Sequence, residues 1–213
     1  MGIIKSGPLL GMSGTVDGLT YSPQPNGTTI VKRKNKASTL PLTEAQESVK
    51  ADTTIFNDAM KPLLDVINFG YQSEAKKYKI SPWNTMVKLV RKNSIQGEYP
   101  NRYVDYSRIL MFKGDLPSAR EISVSVAETG LDFQWNNNVP EQGHYSDHVI
   151  MLAYFPSLSE ARYIFSGALR TAGKDHLPLQ GIYNGHTAHV YIAFGTGDHK
   201  GISDSIYLGQ FNW

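Results

Sequence analysis

Cysteine is absent from all 213 residues, so neither a disulfide nor a thiolate-bound metal is available to this chain. That fits a reducing compartment without requiring one. No apolar run approaches the roughly 20 residues of a membrane span. The opening MGIIKSGPLLGMSG lacks a continuous apolar stretch of signal-peptide length, because Lys5, Ser6, Gly7 and Pro8 interrupt it. We read it as part of a mature fold made in the cytoplasm. Catalytic signatures are missing too. No glycine-rich stretch ends in Gly-Lys-Ser/Thr, and neither His-Glu-x-x-His nor Gly-x-Ser-x-Gly occurs.

What is abundant points to turns and strands: 19 Gly, 11 Pro and 12 Tyr. The net charge of +2 hides a division. Residues 1–113 carry 16 Lys+Arg against 9 Asp+Glu, whereas residues 114–213 carry 5 against 10. A basic half is compatible with nucleic acid, although the short run Val31 to Lys36 has no interleaved aromatics to stack on bases. Opposite charge at the two ends equally lets copies of one chain attract each other head to tail.

Glycines at 2, 7, 11, 14 and 18 exclude a stable helix at the start, since each costs about 1 kcal/mol there. Thr15 to Tyr21 and Thr28 to Lys34 are expected to pair as a hairpin across Pro23-Gln24-Pro25-Asn26-Gly27. Such a ribbon has little core and must pack on something. Thr43 and Gln46 form a capping-box pattern that opens a first helix. Val49, Phe56, Met60, Leu63 and Ile67 fall on one of its faces, serving either as internal core or as a seam to another subunit. Pro62 should kink it. Ser81-Pro82 opens a second helix. A strand is expected at Ser107 to Phe112, then a domain boundary at Gly114-Asp115-Leu116-Pro117.

Seven short strands follow, at 122–126, 131–135, 148–154, 161–166, 176–179, 188–194 and 205–211. That number over about a hundred residues is the pattern of an immunoglobulin-like sandwich. Trp135 and Tyr191 occupy places where fibronectin type III modules carry a buried Trp and a Tyr. The expected architecture is α+β: residues 1–113 form a β-hairpin with two helices, and residues 114–213 an antiparallel Ig/fibronectin III-like sandwich.

Several stretches together resemble an uncharacterised family found in Bacteroidota genomes and their phages. They are Gly14-x3-Gly18-x2-Tyr21, Pro41 to Gln46, Asp105-Tyr106-Ser107, Lys113 to Pro117, His189 to Phe194 and Ser203 to Gly209. The resemblance covers nearly the whole chain. It implies the same hairpin–helix–sandwich order and a bacterial or phage setting, and it supplies no activity, cofactor or catalytic residue.

Candidate chemistry is sparse. His144 and His148 would share a strand face about 13 Å apart, too far for one ion. Asp147, His148 and a serine make a triad only on paper. Asp198 and Asp204 flank a glycine-rich turn. Tyr145, Tyr154, Tyr163, Tyr183 and Trp213 could stack on sugar rings or simply half-bury in sheets. We therefore expect a non-enzymatic assembly protein with no cofactor or metal. Its partner is itself or another particle subunit, through Gly11, Gly14, Gly18, Tyr21, Val49, Phe56 and Leu63. A monomeric module binding glycan or protein through sandwich loops is the alternative.

Overall fold

A strand with one wet face alternates apolar and polar residues, whereas a strand covered on both faces reads as a continuous apolar run. HVIMLAYF and TAHVYIAFG are two such runs, and the rest of the chain is layered around them. The computed structural model describes every residue except 25, 36–39 and 139–142. The chain is mixed α+β and divides into two compact units, Met1–Thr43 and Glu44–Trp213.

The first unit is an antiparallel sheet of four strands, β1 (Gly2–Ile4), β2 (Gly14–Val16), β3 (Leu19–Pro23) and β4 (Thr29–Arg33), in the order β1-β4-β3-β2. The expected pairing of the two longer segments is present, with Tyr21 opposite Val31. The segment read as one strand from Thr15 to Tyr21 is instead a hairpin folded at Asp17-Gly18. Both residues have positive φ there, 47° and 73°, as a tight two-residue turn requires. At the other turn, Gly27 has φ 78° and Asn26 Oδ1 accepts from Thr28 N–H and Oγ1. Pro25 of that turn and Lys36 of the basic run lie outside the described residues.

The second unit begins with helices. α1 (Glu44–Met60) starts directly after Thr43 and gives way at Lys61–Leu63 to a 3₁₀ turn containing Pro62, as the missing N–H demands. α2 (Leu64–Gly70) and α3 (Gln72–Tyr78) follow. α4 (Pro82–Ser94) is capped by Ser81, whose Oγ accepts from Asn84 N–H at 3.2 Å. β5 (Ile95–Gln96) and β6 (Tyr103–Val104) form a two-residue ladder.

All seven later strands occur within about two residues of their expected ends: β7 (Ser123–Ala127), β8 (Gly130–Gln134), β9 (His148–Phe155), β10 (Glu160–Ile164), β11 (Lys174–Pro178), β12 (Thr187–Gly195) and β13 (Ile206–Asn212). They make two antiparallel sheets, β10-β9-β12-β13 and β11-β8-β7. Val149, Met151, Ala153 and Phe155 of β9, with Val190, Ile192 and Phe194 of β12, share a core with Leu131, Phe133 and Leu177 of the smaller sheet. The opposite faces of β9 and β12 present Ile150, Leu152, Tyr154, Tyr191 and Ala193 to Phe56, Met60, Leu63, Val66 and Ile67 of the helices. The four-stranded sheet is thus the middle of three layers.

That second core corrects two expectations. The division expected at 113/114 does not match the compact units, because the helices fill the outer face of the sheet that follows it. Nor is Ser107 to Phe112 a strand. Tyr106–Arg108 is a 3₁₀ turn, and the chain beyond it is a strap clamped to the β12–β13 connection. Ser205 N–H donates to Phe112 O at 3.0 Å, Leu116 N–H to Ile202 O at 3.1 Å, and Met111 N–H to Ser205 Oγ at 2.8 Å. Gly114 is packed there rather than hinged: a Cβ on it would lie 2.1 Å from Ile202 O.

Tyrosines fasten the helical layer with polar groups. Tyr154 OH donates to Ala59 O at 2.9 Å and Tyr191 OH to Tyr106 O at 2.7 Å. Within the helical layer, Tyr71 OH donates to Leu110 O at 2.6 Å. Burial pushes all three phenols well above their usual pKa, so they remain donors at any ordinary pH. Tyr191, expected inside the sandwich, points to the helices instead. Phe56→Ala should cost about 3–5 kcal/mol and Tyr154→Phe about 1 kcal/mol in urea unfolding.

Candidate functional site

In the first unit small turns are stable but little is covered. Gly11, Gly14 and Gly18 all have positive φ. Gly11 N–H donates to Thr29 Oγ1 at 2.8 Å, and Thr29 is the one buried residue among those described in residues 1–43. The register places Ile4, Val16, Leu19, Tyr21 and Val31 on one face of the sheet. Tyr21 is half-buried, whereas Val16 is 54% exposed and Ile3, on the other face, 56%. Of the helical positions singled out for assembly, Val49 is exposed. Phe56 and Leu63 are fully buried in the chain's own core and present no surface to a neighbour.

The second unit carries a polar groove on the outer face of β11-β8-β7. Leu131, Phe133 and Leu177 turn inward, so Asp132, Gln134, Lys174 and His176 turn outward. They line a groove of about 450 Å³, which adjoins a second of about 390 Å³ reached past Gln134 and Lys174. His176 Nδ1 lies 2.6 Å from Asp132 Oδ1, and its Nε2 lies 3.0 Å from Thr129 Oγ1. With Asp132 ionised, Nδ1–H donates to it and Nε2 accepts the Thr129 hydroxyl proton. This set can pass a proton, but Thr129 is exposed to water. It suits hydrogen bonding to a polar ligand. Sequence reading missed it, because only the cross-strand register brings Asp132 opposite His176.

The residues that were singled out do not converge. His144 Nδ1 is 3.0 Å from Ser146 Oγ, while His148 Nδ1 donates to Gly167 O at 3.1 Å. Asp147 is fully buried with Arg170, whose Nε stands 3.3 Å from Asp147 Oδ2. Arg170 also donates to Pro117 O at 2.7 Å and lies 4.2 Å over the Phe194 ring. Trp135 Nε1 donates to Arg170 O at 2.7 Å, so this pair joins both sheets. Asp198 is held down at about 2, chiefly by the Thr196 hydroxyl, and Asp204 is bound by Lys113. No group of three or more metal-ligating side chains occurs among the described residues. Tyr154 is buried and Trp213 Nε1 donates to Ile182 O, whereas Tyr145 and Tyr183 stand exposed elsewhere. Tyr163 stacks on Phe165, with ring centroids 4.6 Å apart.

A family model described as a family of unknown function, DUF6266, matches residues 10–209. The chain is a member of the DUF6266 family. The matched range takes in strands of both compact units. No curated protein and no solved structure matches the chain.

In this DUF6266 protein three of the stretches that carried the sequence resemblance, Asp105-Tyr106-Ser107, His189 to Phe194 and Ser203 to Gly209, meet where the helical layer joins the sheet. Tyr106 packs 4.4 Å from His189, and His189 Nδ1 lies 3.0 Å from Tyr207 OH. Burial holds the His189 imidazole below its usual pKa, with Asp105 opposing weakly. The folded state therefore disfavours its protonation, and stability falls as pH drops below the unfolded value of about 6.5. His189→Gln should flatten urea-measured stability between about pH 7 and pH 5, removing a slope of at most about 1.4 kcal/mol per unit. An unchanged slope would show that His189 is not the titrating group.

Proposed function

We propose that this DUF6266 protein is a non-enzymatic structural subunit that assembles with copies of itself, as part of a phage particle or filament. The observation that carries the reading is the first unit: a four-stranded sheet with one buried residue among those described and Ile3, Val16 and Leu19 exposed. A sheet this small does not hold itself together without something to cover it. The bacterial and phage setting follows from the sequence resemblance. The strand order of the second unit supports reading it as a fibronectin III-like display domain. Counted from β7, the first, second and fifth of its seven later strands form one sheet and the fourth, third, sixth and seventh the other. A constant-type immunoglobulin sheet would instead place the fourth beside the fifth. Lys32, Arg33 and Lys34 are exposed at the end of β4, and we assign them to subunit contacts rather than nucleic acid.

A second reading, a binding module, is favoured by the convergence of Asp132, Gln134, Lys174 and His176 in the groove. Its ligand would be hydrogen-bonded rather than stacked. Phe69, Phe165 and Tyr163 form a face-to-face column, at 4.2 and 4.6 Å, in which stacking faces are taken up by neighbouring rings.

Size-exclusion chromatography with light scattering separates the readings. The full chain should be oligomeric and a chain lacking residues 1–43 monomeric and folded. A full-length monomer at high concentration would overturn assembly.

A further inference from the structure

Edge strands offer unpaired N–H and C=O groups, and most carry some device against pairing with another chain. In the second unit, β10 has the Glu160–Arg162 ion pair, with the Arg162 guanidinium bonded to Gln180 O. β11 carries Lys174, Asp175 and His176 and ends in Pro178. β13 is bent by Gly209, at φ 119°, where its register with β12 shifts. β7 has none of these. It reads Ser-Val-Ser-Val-Ala, without charge, proline or glycine, and among the described residues it pairs only with β8. Val126, opposite the buried Leu131, is nevertheless 49% exposed, so the sandwich is open at this point of the edge.

The first unit has two edges, β1 and β2. β2 runs into Asp17, whereas β1 runs into Lys5 and pairs with Thr29 to Val31 of β4. Residues 1–43 carry five Lys+Arg against one acidic residue. β7 is bracketed by Glu121 and Glu128, with Arg120 beside the former, in a half of the chain with 10 Asp+Glu against 5 Lys+Arg. Charge thus favours β1 over β2 as the strand that meets β7.

We propose that β1 of one copy adds to the free edge of β7 of a second copy. This rests on the assembly reading and names its contact. Backbone hydrogen bonds supply the pairing, and with Ile3 opposite Ser125 it is Ile4 that joins the face of Val124 and Val126, whichever way the strands run. The contact joins different patches on the two copies, so it propagates head to tail into an open filament or closes as a ring.

The absence of native cysteine makes the test clean. Ile3→Cys and Ser125→Cys stand at the middle of each strand, so either strand direction brings them together. The double variant, oxidised after assembly, should give a ladder of covalent oligomers that collapses on reduction. A mixture of the two single variants should give covalent dimers only. Val126→Lys places charge on the edge and should dissociate the oligomer at unchanged circular dichroism and melting temperature, whereas Val126→Thr should not. Oligomers that survive Val126→Lys and show no 3–125 crosslink would overturn this contact while leaving assembly standing. A crosslink formed only within single chains would also overturn it. A wild-type monomer would remove both.

Discussion

Two strands buried on both faces set the terms for the second unit. β9 and β12 expose almost no side-chain surface, and each presents one residue set to the smaller sheet and the alternate set to the helices. Removing either outer layer would return a whole apolar face to water. Fully burying one large apolar side chain is worth about 1.5–3 kcal/mol, so five or six lost together are comparable to a typical domain's whole net stability. The helices are therefore a layer of the same unit.

Dry surfaces alone would let the helical layer slide, and the polar groups at this boundary fix its position. The Tyr154 and Tyr191 hydroxyls each find a backbone carbonyl of the helical side. Ser205 and Asp204 bind the strap from Met111 to Gly114. The buried Asp147–Arg170 pair does the corresponding work between the two sheets, at an electrostatic cost that only good partners offset. Among the described residues Asp147 Oδ1 and Arg170 Nε and Nη1 have no hydrogen-bond partner, so that cost is only partly offset.

Local signals in the sequence were enough for the later strands, because alternation and turn residues mark each one independently. The Ser81 cap and the effect of Pro62 were legible for the same reason. What failed needed context. Gln72–Tyr78 is too polar to show a helical stripe, so α3 was not foreseen. The Asp17-Gly18 turn was overlooked because flanking residues of strand type allowed a single longer strand. Gly114 and its neighbours have the composition of a linker, and only the close approach of Ile202 shows them to be packed. The Asp132–His176–Thr129 set depends on register between strands far apart in sequence, which no single-strand pattern contains. Of the residues nominated for assembly, Phe56 and Leu63 failed because an amphipathic stripe does not say whether its cover comes from the same chain.

The small N-terminal sheet stands against this background as the part with the least burial of its own, while residues 44–213 build two cores. The claim on which everything else rests is that helices and both sheets of that unit unfold together around β9 and β12. Native-state hydrogen exchange on the full chain tests it most directly. The slowest amides of β9, β12 and the α1–α2 helices should share one opening free energy, equal to that of global unfolding. Helices that open in a separate, cheaper step while β9 and β12 stay protected would contradict it.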